Sequence, residues 1–438
     1  MIGAWENAHH PQSFPRAIVH IDGDAFFASC ETALHPELRG RAVVTGKERG
    51  IASSLSYEAK NRGVRRGMMM HEIKKICPDV VILPSDYETY SLFSKRMFEI
   101  MRRYTSVVEE YGIDEGFADI TGLRGPLRMS YEEIARTMKK TIDEELGFTV
   151  SVGLAPTKSL AKIASKWQKP NGFTSIPGKA IRGYLSALPV ENLWGVGPNT
   201  SKYMNSIGII TADDFVSKPF LYICEKFSKP HQEMWRELHG EYVWELTTEQ
   251  KTNYATISKT KTFTPSSNDS EYLMSQLIRN LENACIKARR HGLVTKKIVV
   301  YLKTEHFSDR VVEAKISRAS NFPHELTKHV RSLFADIFDR NTRYRATGII
   351  LSDLQSETSI QKSLFEPVLQ IEKLQRIYSA IDSLDANFGK HTVHLGGSQA
   401  TFTQKQYLDA RSQDTERILL LGETARQHLN IPRLMLRI

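Results

Sequence analysis

The sequence predicts an α+β protein built as two mixed regions with a helical segment between them, and three observations carry that reading. Residues 16–172 mix short β-branched apolar runs with amphipathic helical stretches. After Pro170, Asn171 and Gly172 the character becomes helical. Beyond a Thr- and Gln-rich, apolar-poor stretch at 247–256, strand and helix patterns alternate again. A length of 438 residues allows roughly two to four domains. An apolar content of 41% with 25% charged residues excludes a wholly disordered or fibrous chain. No apolar run approaches the length of a spanning helix, so a membrane is not an expected partner. The opening MIGAWENAHHPQSFPR lacks a basic segment followed by an apolar core and reads as a polar arm over 1–15.

The elements follow in order. Ala17, Ile18, Val19 and Ile21 form a short buried-strand pattern that delivers Asp22 at its edge. A polar stretch rich in Gly and Arg runs to about Pro84. Residues 87–104 are helical, with Leu92, Phe93, Met97, Ile100 and Met101 on one stripe. Residues 107–119 read as strand, turn and strand around Asp114 and Glu115. Residues 131–146 form a helix with Ile134, Met138 and Ile142 every fourth position, 149–154 a strand, and Pro156 and Thr157 open another helix. The stretch LWGVGP and the residues that follow, to Ile209, resemble a helix-hairpin-helix. In the second mixed region, strands are expected at 297–302, 310–316 and 346–351, and helices at 272–289 and 325–338. The tail from Gln355 is polar apart from Leu364 and Phe365, with a helical pattern over 369–381.

Cys30, Cys77, Cys224 and Cys285 lie far apart with no zinc spacing, which suits free thiols in a reducing compartment. That places the chain in the cytoplasm, at the nucleoid. The net charge of +9 points to a polyanionic partner, and its distribution sharpens the point. Residues 254–354 hold 17 Lys and Arg against 10 Asp and Glu, so they supply most of the surplus.

Three carboxylates stand at strand edges: Asp22, Asp114 and Glu115. Phosphoryl transfer needs hard oxygen ligands clustered around divalent ions, and two antiparallel strands would bring these acids together. Acids at strand ends are also ordinary solvated turn residues. Lys158, Lys162 and Lys166 share one helix face, a column that suggests either a phosphate opposite or a solvated surface. Tyr57, Lys60, Arg62, Arg65 and Arg66 form a second basic group that would grip a triphosphate or line a surface.

At these residues a resemblance takes hold. IVHIDGDAFFASCE, SYEAKNRGVRRGM, LPSDYETY, YGIDEGFADITG, SVGLAPTKSLAKIASKWQKPNG and SALPVENLWGVG occur in order, and together they resemble the Y-family translesion DNA polymerases, the bacterial UmuC-type branch in particular. The likeness runs from about Arg16 to Leu354. It implies a right-hand polymerase with palm (16–25 and 87–172), small fingers (26–86), helical thumb (173–246), a separate α+β little finger (254–354) and a tail (355–438). It implies two Mg²⁺ ions held by Asp22, the Gly23 carbonyl, Asp114 and Glu115. Phe27, five residues after the first Asp, would be the steric gate against a ribose 2′-OH; its plain alternative is a core aromatic. Ser54, Tyr57, Lys60 and Lys162 match positions that hold the incoming deoxynucleoside triphosphate. Lys60 stands where Arg is common and offers a point charge without a fork. Gly112 and Gly116 flank the acidic pair where Ser and Ala are frequent, and are expected to loosen that turn. Met68, Met69 and Met70 would form a tolerant roof over the nascent pair or fill core space.

The resemblance further implies that Gly195 and Gly197 present backbone N–H groups to a DNA phosphate, and that the basic 254–354 region lies along primer–template DNA. Gln361, Leu364 and Phe365 resemble a sliding-clamp-binding peptide. UmuD-like and RecA-like partners and an SOS-response role in mutagenesis come with the same branch. Two rivals share some of these residues. A non-catalytic polymerase-like scaffold recruiting translesion factors to the clamp would lack the acids, and a palm-type nucleotide cyclase would need neither thumb nor little finger.

Overall fold

A computed structural model describes residues 14–249, 254–357, 368–388 and 391–403. The chain divides into two compact units at residue 250.

The first unit is built on short strands. Its strands in chain order are β1 (Ile18–Gly23), β2 (Val43–Thr45), β3 (Ser54–Leu55), β4 (Val81–Leu83), β5 (Val108–Glu110), β6 (Glu115–Asp119), β7 (Val150–Ala155) and β8 (Phe173–Ser175). Five of them make a sheet of order β5-β6-β1-β7-β8, with β1 antiparallel to both neighbours. Because side chains alternate across a strand, Val19 and Ile21 of β1 face one core while Ile18 faces another. The first core is closed by the helices Tyr87–Arg102 and Tyr131–Leu146, whose Phe93, Met97, Ile134, Met138 and Ile142 are fully buried. Ser130 and Glu133 form a capping box at the start of the second helix, and Gly147 ends it in a left-handed conformation.

The opposite face carries the helix Lys158–Trp167, and beyond it short helices between Ile181 and Leu238 share its core. Helix and β7 touch closely: a Cβ on Gly153 would lie 2.1 Å from the Ala161 carbonyl and 2.3 Å from Ser165 N, so only glycine fits there. A small sheet of order β3-β2-β4 has its own core around Val44, Leu55, Ala59, Val64 and Ile73.

The second unit contains β9 (Thr256–Ser267), β10 (Leu293–Thr304), β11 (Asp309–Ser320) and β12 (Tyr344–Ser356) in the order β11-β10-β12-β9. The helices Ser270–Arg290 and Pro323–Ile337 cover one face, burying Ile298, Val300, Leu302, Ile349 and Leu351. The other face presents Lys297, Tyr301 and Lys303 of β10, with Lys297 paired to Glu313 and Lys303 to Asp309. A further helix, Val368–Phe388, extends the pattern expected over 369–381 and docks on this unit. Asp382 receives two hydrogen bonds from Arg289, at 2.7 and 2.6 Å, and Tyr378 stacks on Phe322 at 5.3 Å.

The expected strands and helices are present with shifted ends, but Phe173–Ser175 is a strand where the chain was expected to turn helical. The sequence reading missed β9, which begins where a linker was expected, and the three short strands inside the polar stretch before Pro84. Among the described residues no helix is long and apolar enough to cross a membrane.

Candidate active site

Asp22 sits near the end of β1 and Glu115 opens β6, and the antiparallel register places them directly opposite each other. His20 and Phe117 are the next pair on the same face. The Gly23 N–H donates to the Asp114 carbonyl at 2.7 Å, and the Gly112 N–H donates to the Glu115 carbonyl at 2.8 Å. The turn is thereby folded back against the end of β1, and the three acids gather at one end of the interior strands β1 and β6.

Gly116 corrects the expectation of a loosened turn. A Cβ there would lie 2.4 Å from the Phe98 ring and 2.7 Å from the Glu109 carbonyl, so this glycine lets β6 seat tightly against its neighbours. At Gly112 the closest contact of such a Cβ, at 3.3 Å, is the flexible Glu115 side chain.

The lysine column is also corrected. Lys158 and Lys162 face carboxylates of the sheet: Lys158 donates to both Glu109 oxygens at 2.9 and 2.7 Å, and Lys162 donates to Glu115 Oε2 at 2.5 Å. Both residues are buried, at 5% and 6% exposure, while Lys166 is exposed. Two of the three like charges thus have acids of the same chain opposite them.

The three acids differ in their surroundings. Burial alone would raise the Glu115 carboxyl, but the adjoining His20 and Lys162 hold it down at about 2. The His20 ring is fully buried, with Nδ1 2.7 Å from Ser165 Oγ and Nε2 3.3 Å from Glu115 Oε2, the latter off-line for a hydrogen bond. Burial lowers the His20 pKa. Asp22 Oδ1 accepts from Lys169 at 2.5 Å. Asp114 is pushed up, first by burial and then by the charges of Asp22 and Glu115. It is the acid of the three that would gain most from an added cation.

Hard carboxylate oxygens under mutual repulsion suit a hard divalent cation. Among the described residues, however, no group of three His, Cys, Asp or Glu side chains forms a ready cage, because Lys162 and Lys169 stand on the Glu115 and Asp22 oxygens. The donor set fits a divalent ion, provided these lysines yield.

Sequence reasoning missed Lys169, Asp24 and His20. Asp24, 1% exposed, accepts from Thr149 Oγ1 at 3.0 Å, Ser151 Oγ at 2.7 Å and the Asn171 N–H at 2.7 Å. It therefore ties the loop carrying Lys169 to the end of β1. Asp24→Ala should destabilise the chain by about 3 kcal/mol, since it removes a buried acceptor of three hydrogen bonds, one of them from the fully buried Ser151. Urea unfolding measures this, and a loss under about 1 kcal/mol would contradict the role.

Phe27 is half-buried on the helix Phe26–Leu34, stacked on Tyr90 at 4.5 Å and 12° and edge-on to Tyr87 at 5.4 Å. Ser54 Oγ donates to the Ala25 carbonyl at 3.3 Å, which ties β3 to the turn after β1. The Tyr57 hydroxyl is pushed up to about 12 by burial and then by the charges of Asp24 and Asp22, so it lies beside the acids. Lys60 Nζ sits 4.0 Å from the Tyr57 ring centroid, and its pKa is lowered by desolvation and by Lys169. Gly195 and Gly197 are exposed; Gly195 takes φ 92°, and Gly197 caps the helix Pro198–Ser206. Gln361, Leu364 and Phe365 lie outside the described residues.

With this geometry in place, comparison with known proteins identifies the class. A family described as impB/mucB/samB matches residues 21–166, and its C-terminal domain matches residues 255–364. The DNA polymerase IV of Stenotrophomonas maltophilia (strain R551-3) is 33% identical over 358 residues, covering 80% of this chain and 99% of that protein. The DNA polymerase IV of Desulfatibacillum aliphaticivorans is 30% identical over 379 residues, 86% of this chain and 95% of the relative. Among solved structures, a Y-family DNA polymerase chimera of Dbh and Dpo4 superposes with a TM-score of 0.65 at 24% identity, covering 78% of this chain and 99% of the other. The chain belongs to the impB/mucB/samB family of Y-family translesion DNA polymerases. The α+β polymerase fold with a separate, little-finger-like C-terminal domain holds as read from the sequence.

Proposed function

We propose that this chain is a low-fidelity, template-directed DNA polymerase of the UmuC-type branch that adds deoxynucleotides opposite damaged template. The observation that carries the catalytic reading is the cross-strand pairing of Asp22 with Glu115, with the Asp114 turn bonded to the end of β1. In this reading Asp22, Asp114, Glu115 and the Gly23 carbonyl would hold two Mg²⁺ ions. Such ions activate the primer 3′-OH and neutralise charge on the departing pyrophosphate. The protein's own part is positioning and electrostatics.

The domain assignment follows the sheets. The five-stranded sheet is the palm over 16–25 and 87–172, with β8 carrying it on to Ser175. In this reading the small sheet belongs to fingers over 26–86, the short helices to a thumb over 173–246, and the strands of the second unit to a little finger over 254–354. The exposed residues Gly195 and Gly197, and the basic surplus of 254–354, suit primer–template phosphates, a contact whose affinity falls steeply with salt.

Lys162, matched by resemblance to the triphosphate, is committed to Glu115. Lys60 and Lys169 repel each other beside Asp22, and a triphosphate between them would relieve that repulsion. Lys169→Ala should raise the nucleotide KM roughly tenfold, about 1.4 kcal/mol. Steady-state single-nucleotide insertion reads this, and an unchanged KM would remove Lys169 from the nucleotide site.

Gln361, Leu364 and Phe365 suit a clamp pocket, with Leu364 and Phe365 as the apolar anchor. Leu364→Ala with Phe365→Ala should abolish stimulation by a sliding clamp while leaving clamp-free synthesis intact. Stimulation persisting in that variant would place the clamp contact elsewhere. UmuD-like and RecA-like partners, and a place at the nucleoid, accompany the branch assignment. Primer extension with Mg²⁺ on intact and lesion-bearing templates, with and without those partners, tests the whole reading. A scaffold or a cyclase would give no template-directed product.

A further inference from the structure

We propose that Lys162 and Trp194 couple the helix-hairpin-helix loop to the metal site: Lys162 is the resting counter-cation of Glu115, and it passes to the aromatic face of Trp194 when a divalent ion takes the carboxylate. This inference rests on the reading of Glu115 as a metal ligand.

The Lys162 ammonium has two kinds of neighbour. Glu115 Oε2 lies 2.5 Å away, and the ring centroids of Tyr111 and Trp194 lie 4.7 and 5.0 Å away. A buried ammonium that loses its carboxylate must find another partner, and aromatic faces attract a desolvated cation, Trp most strongly. The alternative partner is thus already in contact.

Trp194 is well placed to transmit the exchange. It stacks over Phe117 at 5.9 Å and 24°, and Phe117 lies two residues beyond Glu115 on β6. It meets Tyr111 edge-on at 5.2 Å and Trp244 at 5.2 Å. The residue that follows it is Gly195, where the exposed loop begins. This ring is carried by the residue at the root of the loop, so a shift that reaches its backbone reaches the loop. By reciprocity, an event that fixes the loop also changes how readily Lys162 leaves Glu115.

The full-length protein is titrated with Mn²⁺ followed by electron paramagnetic resonance, and with Mg²⁺ followed by tryptophan emission. Wild type should show an emission change that tracks site filling. Trp194→Leu should lose that change and bind Mn²⁺ roughly three- to tenfold more weakly, because the displaced ammonium has lost its ring. Trp194→Phe should also lose the emission change but recover most of the Mn²⁺ affinity. Lys162→Met should bind Mn²⁺ at least about threefold more tightly, and in that background Trp194→Leu should have no further effect.

Equal Mn²⁺ affinity in wild type and Trp194→Leu would overturn the inference, and so would an equal loss with Met at position 162. Should Trp194→Leu fail to fold, an emission change retained in Trp194→Phe would overturn it just as well. Glu115→Gln separates the two levels. Mn²⁺ binding unaffected by Glu115→Gln sinks the metal-ligand reading itself. Binding abolished by Glu115→Gln but indifferent to Trp194 leaves that reading standing and removes only the coupling.

Discussion

Asp114→Ala is expected to cut primer extension by about a thousandfold or more, roughly 4 kcal/mol of transition-state stabilisation. Asp22 and Glu115 each have a lysine ammonium at 2.5 Å, whereas the Asp114 carboxyl is raised by burial and by its two acidic neighbours. A divalent ion would therefore gain more from Asp114 than from an acid already paired with lysine. The variant should still bind primer–template DNA within about twofold of wild type, since the proposed phosphate contacts at Gly195–Gly197 and in 254–354 are separate residues. Single-turnover extension and a fluorescence-anisotropy titration read the two effects. Extension within tenfold of wild type would remove Asp114 from the catalytic set.

The second large effect is expected at Phe27. Its ring is stacked against Tyr90, which is itself fully buried and donates its hydroxyl to Glu31 Oε1 at 2.5 Å. An aromatic held this way cannot swing aside to admit a ribose 2′-OH. Phe27→Ala should lower discrimination between deoxycytidine and cytidine triphosphates by roughly a hundredfold, about 2.7 kcal/mol. The ratio of kcat/KM for the two nucleotides measures this, and the deoxynucleotide rate controls for general damage to the fold. An unchanged ratio would assign Phe27 to packing alone.

Much of this site was legible before any coordinates. The continuous β-branched run ending at Asp22, and the turn carrying Asp114 and Glu115, were legible as strand ends bearing acids, while their grouping as metal ligands came from the family resemblance. The lysine column was legible as a face, but spacing identifies which residues share a face and not what lies opposite. Hence Glu109 and Glu115 emerged only with the sheet register. His20 was recoverable in principle, standing two residues before Asp22 on the same side of β1. Lys169 and Asp24 were not, since their link is a hydrogen bond from Asn171 N across 147 residues of chain. Strand β9 escaped because, among its described residues, Ile257 and Phe263 are the only buried apolar side chains in a run of Thr, Ser and Lys at the sheet edge. The strands β2, β3 and β4, two or three residues each, are too short to show a period.

The central claim is that Asp22, Asp114 and Glu115 gather the divalent ions used in synthesis. Anomalous scattering from Mn²⁺ in crystals of the protein with a 3′-deoxy primer, template and incoming nucleotide tests it most directly. The account predicts two Mn²⁺ peaks about 3.5–4 Å apart, both within bonding distance of Asp22 and Asp114. Mn²⁺ bound to the nucleotide with these carboxylates still turned onto Lys162 and Lys169 would contradict it.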